Sequence, residues 1–407
     1  MNIGLFTETY YPEINGVANS VFILKKELEA LGHTVYVFTT TTPGAPEYEY
    51  NVFRVPSLPF ILITERRIGM FYLPKLAGII KKLNLDIIHT HTEFSLGIFG
   101  RIMAKELKIP MIHTYHTIYE DYTHYLTHFK ALDARAKAFV RIFTKVCCNT
   151  VARVIVPTEK VKELLQKYSV YREISVIPTG VDLKKFNPAL YKQEDIDKIK
   201  TEYGILKEDK VILYIGRVSR EKNIIETINA MEYYMKDGKP VKFLIVGSGP
   251  EMDELKDRVA ELDLQQKIIF AGSKPWDTIG LYYQVGDVFV SASQSETQGL
   301  TYIEAMAAGI PAVAREDRCL DGILFDGING YKFTDQKGLI ESLDKVLFTD
   351  TETPYGENAR ELMQKFSTET FGKSVEDVYE DVLGNERYSE QTGISEAKKI
   401  NYLKMPF

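Results

Sequence analysis

Residues 211–223 read V-I-L-Y-I-G-R-V-S-R-E-K-N, an apolar run, then a glycine, then a polar segment with basic residues. An uninterrupted apolar run is typical of a strand buried on both faces of a parallel sheet, so Val211–Ile215 is predicted as such a strand. Open α/β sheets bind ligands beyond the carboxyl ends of their strands. Arg217 and Lys222 are therefore expected at a ligand site, where a guanidinium fork and a compact ammonium can hold a diphosphate. The alternative is a solvated basic turn.

Apolar runs and amphipathic segments alternate along both halves of the chain, which predicts α/β domains with parallel sheets and right-handed crossovers. The first half begins with a strand at Ile3–Thr7 and a helix at Val17–Leu31 that Gly32 ends. The pattern restarts after a segment with Pro and Gly at 177–188. The other predicted strands are Val35–Thr39, Ile87–Thr90, Met111–Thr114, Phe243–Val246, Ile268–Ala271, Val288–Ser291 and Ala312–Ala314. A chain of 407 residues suits two such domains.

A second polar loop, at 294–309, reads Q-S-E-T-Q-G-L-T-Y-I-E-A-M-A-A-G. A helix is predicted to start near Thr301, with Gly299 in the turn before it and Glu304 in its first turn. Free amides and the dipole at a helix start favour an anion, and carboxylates such as Glu296 and Glu304 accept hydrogen bonds from sugar hydroxyls. The combination indicates a nucleotide-sugar site. Two solvated surface glutamates are the alternative.

The first half offers a second glycine turn and a group of histidines. Residues 15–17 (N-G-V) lie between the first strand and the first helix, where a glycine allows a phosphate to approach the backbone. Neither this turn nor V-G-S-G-P at 246–250 matches G-x-G-x-x-G, which argues against an NAD enzyme. A metal site is one interpretation of the histidines, but it is not predicted, because the polar lining of a cleft explains them as well. They are His89, His91, His113 and His116.

Composition and charge indicate a globular protein with a cationic segment. Hydrophobic residues make up 45% of the chain and charged residues 26%, and the net charge is −6. Three cysteines without metal-type spacing and an N-terminus without a signal-peptide pattern predict folding in the cytoplasm. Residues 57–150 carry 13 Lys and Arg against 7 Asp and Glu, a local balance of +6. Such a segment in an acidic protein indicates an anionic partner.

The cationic segment contains a basic amphipathic pattern at 124–146, which is typical of helices that lie on anionic bilayers. An ordinary domain helix with a solvated basic face is the alternative. A second candidate is Phe60–Leu83. The pattern alone does not decide between a membrane helix and a domain helix, and the residues that would bind a membrane are Phe129, Lys130, Arg135, Lys137, Phe139, Arg141, Phe143 and Lys145.

Five motifs in order along residues 3–335 resemble those of the family-4 retaining glycosyltransferases of the GT-B fold. They are Y-P-E-I-N-G-V-A (11–18), H-T-Y-H-T (113–117), G-R-V-S-R-E-K-N (216–223), V-G-S-G-P (246–250) and E-x(7)-E (296–304). A narrower resemblance is to the bacterial diacylglycerol glucosyltransferases. It rests on H-T-H-T-E-F-S-L-G (89–97) and H-T-Y-H-T-I-Y-E-D-Y (113–122).

The resemblance implies two Rossmann-like domains, 1–182 and 183–355, that face each other across a cleft, with a helical segment at 356–407 crossing back to the first domain. It also implies that His116 contacts the transferred hexose. The catalytic residues are then expected to be His116, Arg217, Lys222 and Glu296. The donor-binding residues are expected to be Gly16, Arg217, Lys222, Gly247, Glu296, Gln298, Gly299, Leu300, Thr301 and Glu304.

The function implied by the resemblance is transfer of glucose, with retention, from UDP-glucose to diacylglycerol, without a metal or cofactor and without nucleic acid as a partner. The enzyme would work on the inner face of the cell membrane, as a peripheral protein of the cytoplasm. Same-face attack is favoured, and a double displacement with Glu296 as nucleophile competes with it. The other readings are a different acceptor (a glycosyl-diacylglycerol or a soluble sugar), UDP-galactose as donor, and a non-catalytic protein that binds nucleotide sugars. The segment R-E-D-R-C-L-D-G (315–322) replaces a glycine-richer loop of the family, so contacts from that loop stay open.

Overall fold

The structure is a computed structural model that describes residues 1–13, 15–60, 63–120, 130–235, 238–350 and 352–392. The chain forms two units. Unit 1 comprises Met1–Gly180 and the chain from Thr368 onward, and unit 2 comprises Val181–Ser367. The first crossing follows Gly180 rather than residue 182. The return follows Ser367 rather than residue 355, because the helix at Tyr355–Met363 packs in unit 2.

Unit 1 is built on a parallel sheet of seven described strands in the order β3-β2-β1-β6-β7-β8-β9. The predicted strands in this half are confirmed to within a residue at each end, and the order reverses direction between β1 and β6. The strands are β1 (Asn2–Phe6), β2 (Thr34–Thr40), β3 (Val52–Val55), β6 (Ile87–Thr90), β7 (Met111–Thr114), β8 (Arg153–Val156) and β9 (Ile174–Val176).

Helices cover both faces of this sheet, as buried parallel strands require. Phe6 and Phe38 face one apolar core, and Ile3 and Leu5 face the other, which alternation along a strand explains. The helices are α1 (Gly16–Ala30), α2 (Pro74–Ile80), α3 (Ser95–Leu107), α4 (Lys130–Asn149), α5 (Glu159–Lys167) and α13 (Thr368–Thr392).

Helix α13 brings the end of the described chain back to unit 1, which confirms the expected return. Its apolar residues join Ile3 and Leu5 in one core. A Cβ at Gly372 would lie 2.4 Å from the Cβ of Glu27 on α1, so the two helices are in close contact. His33 also pairs with Glu376 of α13, with 2.7 Å between Nε2 and Oε1.

The prediction of an amphipathic helix over Phe60–Leu83 is wrong. Strands β4 (Ser57–Phe60) and β5 (Ile63–Gly69) form an antiparallel pair, and the short helix α2 follows them. Residues 61 and 62 lie outside the described residues. The many β-branched and aromatic side chains of this segment favour strands, whereas the Lys and Arg pattern alone does not distinguish a strand from a helix.

Unit 2 has a parallel sheet of six described strands in the order β12-β11-β10-β13-β14-β15. Counted within the unit, this is the 3-2-1-4-5-6 order of doubly wound folds, whose ligands bind where the order reverses. The reversal lies between β10 and β13. The strands are β10 (Lys210–Ile215), β11 (Val241–Val246), β12 (Ile268–Gly272), β13 (Val288–Ser291), β14 (Ala312–Arg315) and β15 (Gly330–Phe333).

Two apolar cores lie on opposite faces of the second sheet. Val211 and Leu213 belong to one core, and Ile212 and Tyr214 to the other. The helices are α6 (Gln193–Glu202), α7 (Ile224–Tyr234), α8 (Met252–Glu261), α9 (Ile279–Tyr283), α10 (Leu300–Ala307), α11 (Gln336–Asp344) and α12 (Tyr355–Met363). Both sheets are therefore of the predicted α/β type.

Candidate active site

The loop after β10 is held against the loop after β11 by a backbone contact that only glycine permits. A Cβ at Gly247, whose φ is +144°, would lie 1.8 Å from the carbonyl oxygen of Gly216. The amide of Val218 also donates to the carbonyl of Ser248, at 2.9 Å. Gly247, predicted beside the nucleotide, therefore has a packing role that fixes the loop carrying Arg217.

Lys222 and Glu296 meet at the reversal of strand order. Lys222 ends a 3₁₀ turn (Arg220–Lys222) after β10, and Glu296 lies in the loop after β13. Lys222 Nζ is 2.5 Å from Glu296 Oε1, and both side chains are largely buried. The hydroxyls of Ser293 and Ser295 donate to the carbonyl of Glu221, at 3.3 Å each, which ties the two loops together. The structure thus brings together two residues that are 74 positions apart in the sequence.

Arg217 is positioned through its main chain. It follows Gly216 directly, and the hydroxyl of Tyr214 donates to its carbonyl at 2.9 Å. Tyr214 is buried in a core of unit 2. The strand thereby holds the backbone of the residue that carries the predicted diphosphate guanidinium.

The start of α10 offers backbone donors. Gly299, with φ of +75° and ψ of +56°, precedes the helix, and no side chain caps it. The helix begins at Leu300 rather than Thr301, so Glu304 is its fifth residue and lies beyond its first turn, contrary to the prediction. Gln298 is buried just before the helix. Leu300 and Thr301 stay on the first turn, where free amides and the helix dipole favour an anion.

Glu304 is a buried carboxyl group. The hydroxyl of Tyr283 donates to its Oε2 at 2.7 Å. Burial raises the pKa of Glu304 to about 7, and the hydrogen bond from Tyr283 and the charge of Lys185 offset part of that rise. This carboxyl group therefore titrates close to neutral pH.

Lys185 and Trp276 belong to this neighbourhood and were not predicted. Lys185 Nζ lies 3.7 Å from the centroid of the Trp276 ring and donates to the Trp276 carbonyl. Burial lowers the pKa of Lys185 to about 8, although the charge of Glu304 opposes this. Lys185 occurs in the segment that the sequence marks as a domain boundary, which is why its charge was not assigned to a site.

In unit 1, the first turn of α1 is already partly occupied. The side-chain oxygen of Asn15 accepts hydrogen bonds from the amides of Val17 (3.1 Å) and Ala18 (2.9 Å). Gly16 is the first helical residue and is exposed. Because the Asn15 cap already binds the amides of Val17 and Ala18, an anion at this helix start would contact the amide of Gly16.

Histidines line the carboxyl ends of β6 and β7 in unit 1. His91 Nδ1 and His116 Nε2 are 3.1 Å apart. Burial lowers the pKa of His116 to about 3 and lowers that of His91 well below its usual value, so both rings are neutral at pH 7. His113 contacts Thr90 and Glu93 in the interior, which is a structural role. In the described part of the chain no group of three or more His, Cys, Asp or Glu has the arrangement of a metal site.

Two family models match the chain, and their boundaries correspond closely to the two units. Residues 14–185 match Glycosyltransferase Family 4, and residues 195–362 match Glycosyl transferases group 1. The alpha-monoglucosyldiacylglycerol synthase of Streptococcus pneumoniae is 40% identical over 94% of this chain and 86% of its own length. The enzyme of that name from Acholeplasma laidlawii is 36% identical over 94% of this chain and 98% of its own length. The chain therefore belongs to the glycosyltransferase family that includes these two synthases.

The glycosyltransferase has the GT-B fold. Anabaena HepE, solved in complex with UDP-glucose, superposes with a TM-score of 0.74 over 94% of this chain and 100% of its own length, at 17% identity. Both units contribute to the predicted residue set. Gly16 and His116 lie in unit 1, and the remaining catalytic and donor-binding residues lie in unit 2.

Helix α4 of the glycosyltransferase presents an apolar stripe to solvent. Phe139 is 69% exposed, Ile142 63% and Val146 39%, at the spacing of one helix face. Phe143 is half-buried and stacks on Phe94, with 6.0 Å between ring centroids. On the opposite face, Thr144 and Cys148 are buried. In the described part of the chain no helix is long and apolar enough to cross a membrane.

The basic residues of α4 fall into two groups. Arg135 and Lys145 are exposed. Lys137 pairs with Asp133 at 2.9 Å, and Arg141 pairs with Glu120. Phe129 and the side chain of Lys130 lie outside the described residues. The cationic surface of the described helix is therefore weaker than its sequence indicates.

Proposed function

We propose that this glycosyltransferase moves glucose from UDP-glucose to diacylglycerol and forms alpha-monoglucosyldiacylglycerol with retention at the anomeric carbon. The observation that carries the proposal is 40% and 36% identity, over nearly the whole chain, to two alpha-monoglucosyldiacylglycerol synthases. The Lys222–Glu296 pair, which lies where the strand order reverses, also supports the proposal, because an ammonium can bind a diphosphate and a carboxylate can bind sugar hydroxyls.

Charge stabilisation is the main catalytic device in this proposal. The bond between the anomeric carbon and the diphosphate breaks through an oxocarbenium-like state, and negative charge grows on the leaving phosphate. We assign the stabilisation of that charge to Arg217, Lys222 and the amides after Gly299, and we assign the turn at Gly16 to the same work. These positive groups and helix starts provide the neutralisation that a metal ion supplies in other transferases, so we expect metal independence.

When the acceptor attacks from the face that the leaving phosphate occupies, that phosphate can take the acceptor's proton, so no separate base is needed. The acceptor hydroxyl forms the new bond to the anomeric carbon, and its proton passes to the leaving phosphate oxygen. His116 contacts the hexose as a neutral ring, because burial holds its pKa at about 3. UDP and the glucosylated acceptor are the products.

Glu296 is assigned to binding sugar hydroxyls rather than to nucleophilic attack. Its Oε1 is engaged by the ammonium of Lys222 at 2.5 Å, and an ion-paired carboxylate is a poorer nucleophile. Its second oxygen is suited to accept a hydroxyl hydrogen bond. Glu304 is assigned to the ribose.

The acceptor is expected at a membrane surface, on the inner face of the cell membrane. The exposed stripe of Phe139, Ile142 and Val146 can enter the interfacial region, with Arg135 and Lys145 beside anionic headgroups. A peripheral attachment of this kind brings a water-insoluble acceptor to an enzyme whose donor is dissolved.

The test uses the purified protein with UDP-glucose and UDP-galactose, with diacylglycerol in vesicles that contain or lack anionic lipid, and with excess EDTA. We expect glucose transfer to diacylglycerol, an alpha anomer by proton NMR and an undiminished rate in EDTA. Transfer only to a glycosyl-diacylglycerol or a soluble sugar would show that the proposed acceptor is wrong. Preference for UDP-galactose would show that the proposed donor is wrong. Tight binding of UDP-glucose without transfer or hydrolysis would indicate a non-catalytic protein.

A further inference from the structure

Arg315 is the last residue of β14. It is also the first residue of the segment 315–322, whose contacts the family resemblance left open. Its Nη1 donates to Glu226 Oε1 at 2.9 Å and to the carbonyl of Thr334 at 2.9 Å. The side chains of Arg315 and Glu226 are about four-fifths buried, with 20% and 21% exposed. A charge-assisted pair of this kind is stronger and more directional than a solvated one, because little water competes with it. The guanidinium at the end of β14 is thus fixed to helix α7 and to the backbone just after β15.

Glu226 connects Arg315 to the loop that carries Lys222. Its second oxygen, Oε2, accepts a hydrogen bond from the Asn223 side-chain nitrogen at 2.5 Å. Glu226 lies in the first turn of α7, and Asn223 immediately precedes that helix. One carboxylate therefore joins Arg315 on the sheet to Asn223 on the loop.

Asn223 sets the direction of the chain directly after Lys222. Its backbone is left-handed, with φ of 51° and ψ of 38°, and it separates the 3₁₀ turn Arg220–Lys222 from α7. Asparagine adopts this conformation more readily than most residues but without the freedom of glycine. A side chain held at 2.5 Å by Glu226 restrains that conformation, and with it the Lys222 main chain.

We propose that Arg315 is a positioning residue for Lys222, acting through Glu226 and Asn223. The inference rests on the proposed function for the identity of the diphosphate that Lys222 holds. Arg315 itself does not touch the donor in this proposal. The three side chains form one connected support, so removing any link should release the loop in the same way.

The test compares Arg315→Met, Glu226→Gln and the double variant with wild type. Displacement of a catalytic group by about 1 Å can lower turnover by about 100-fold, so we expect kcat/KM for UDP-glucose to fall by about 10- to 100-fold in each single variant. The double variant should be no worse than the worse single variant, because both break the same support. KM for the acceptor should not change.

Arg258→Met is the matched control. Arg258 also holds helix α7, through Asn229 at 2.8 Å, and pairs with Glu261, but it makes no contact in the Arg315–Glu226–Asn223 support. This variant should keep wild-type kinetics. An equal loss in Arg258→Met would show a general effect of loosening α7 and would overturn the proposal.

A second measurement separates this inference from the proposed function. Hydrogen exchange at the amides of 219–226 should accelerate in Arg315→Met and in Glu226→Gln, with no change in the core strand β10, whether or not the protein transfers glucose. If Glu226→Gln keeps or raises activity while Arg315→Met loses it, Arg315 contacts the donor directly and the proposal is wrong. Unchanged exchange and unchanged kinetics in both variants would also overturn it. An inactive wild type would refute the proposed function and leave the exchange test standing.

Discussion

At the scale of single residues, the candidate site depends on pairs that are far apart in sequence. The Lys222–Glu296 pair sets an ammonium beside a carboxylate, and we assign the ammonium to phosphate and the carboxylate to sugar hydroxyls. The Glu304–Tyr283 pair places a second carboxyl group in the interior. These two pairs have different environments and should respond differently to substitution.

Lys222→Ala should lower turnover by about 100-fold or more, because it removes charge stabilisation that grows in the transition state. Steady-state transfer from UDP-glucose measures the effect. Lys239→Ala is the control, since Lys239 is also ion-paired in unit 2, with Asp344 at 2.6 Å, and lies outside the proposed site. Near wild-type turnover in a stable Lys222 variant would remove this residue from the site.

The affinity for UDP-glucose should depend on pH through Glu304. Its pKa in the free protein is about 7, and the proposed contact requires the ionised form to accept a ribose hydrogen bond. Below pH 7 a proton must leave before binding, so affinity should fall towards a limit of about tenfold per pH unit. Calorimetric titration between pH 5.5 and about pH 8 measures this.

Glu304→Gln is the control for that pH dependence. Glutamine keeps the size of the side chain and does not titrate, so affinity should be weaker and the pH dependence absent. UDP-glucose is the appropriate probe because its diphosphate has no terminal phosphate that titrates in this range. If the pH dependence persists in the variant, another group is responsible and the ribose assignment loses its support.

At the scale of elements, α4 combines a buried face with an exposed apolar stripe. Two of its basic residues, Lys137 and Arg141, are paired within the described protein. Apolar burial should therefore contribute more to membrane attachment than charge does.

Phe139→Ser together with Ile142→Ser should weaken vesicle binding by about 3 kcal/mol, since each large apolar side chain contributes about 1.5–3 kcal/mol when fully buried and a bilayer interface buries it only in part. The triple change of Lys137, Arg141 and Lys145 to Ser should weaken binding by less than about 3 kcal/mol, and the loss should shrink as salt rises. Vesicle sedimentation at two salt concentrations measures both.

Donor hydrolysis in solution is the internal control for these variants, because α4 is not part of the proposed nucleotide site. Changing Lys160, Lys162 and Lys167 of α5 to Ser removes three charges elsewhere in unit 1 and should leave vesicle binding unchanged. If both α4 variants bind anionic vesicles as wild type does, α4 is an ordinary domain helix. The hairpin of β4 and β5 is then the next candidate.

At the scale of the whole molecule, the buried histidines of unit 1 and Glu304 of unit 2 respond to acid in opposite directions. Burial lowers the pKa of His89, His91 and His116 in unit 1 and raises that of Glu304 in unit 2. Below about pH 6.5 the unfolded form of unit 1 binds more protons at these histidines than the folded form does. Between about pH 4.5 and pH 7 the folded form of unit 2 binds the extra proton at Glu304.

Acidification from about pH 7 to pH 5 should therefore destabilise unit 1 by up to about 2 kcal/mol for each buried histidine, opposed in part by Glu8, whose pKa burial raises, and should stabilise unit 2 at Glu304. Trp276 is the single tryptophan, so its fluorescence follows unit 2 during urea unfolding. Hydrogen exchange in β6 and β7 follows unit 1. His91→Asn should reduce the pH dependence of unit 1, and an unchanged dependence would contradict the assignment.

Much of the fold was predictable because buried parallel strands have a simple pattern. Ile87–Thr90, Met111–Thr114 and Val288–Ser291 were predicted with the bounds that the structure gives. The β4–β5 pair was not predicted, since its mixed apolar and basic residues also fit a helix. Arg217, Lys222, Glu296 and Glu304 were selected from spacing and strand ends, which are local signals.

The rest of the site depends on contacts that spacing does not encode. The capping of α1 by Asn15 and the Lys185–Trp276 contact join residues whose chemistry is unremarkable until the chain is folded. The Arg315–Glu226–Asn223 support spans 92 positions from its first residue to its last. Electrostatic partners at such separation follow from the sheet order, and the sheet order was not available from local pattern.

The return of α13 to unit 1 has a consequence for biosynthesis. The strands of unit 1 are translated before unit 2, yet the apolar side chains of Ile3 and Leu5 share their core with Val375 and Tyr379, which are translated after unit 2. Unit 2 is one continuous segment and has all its strands as soon as Ser367 has left the exit tunnel. Unit 1 is therefore completed only after unit 2 has been synthesised, and a nascent chain exposes part of the interior of unit 1 to chaperones until α13 has left the exit tunnel.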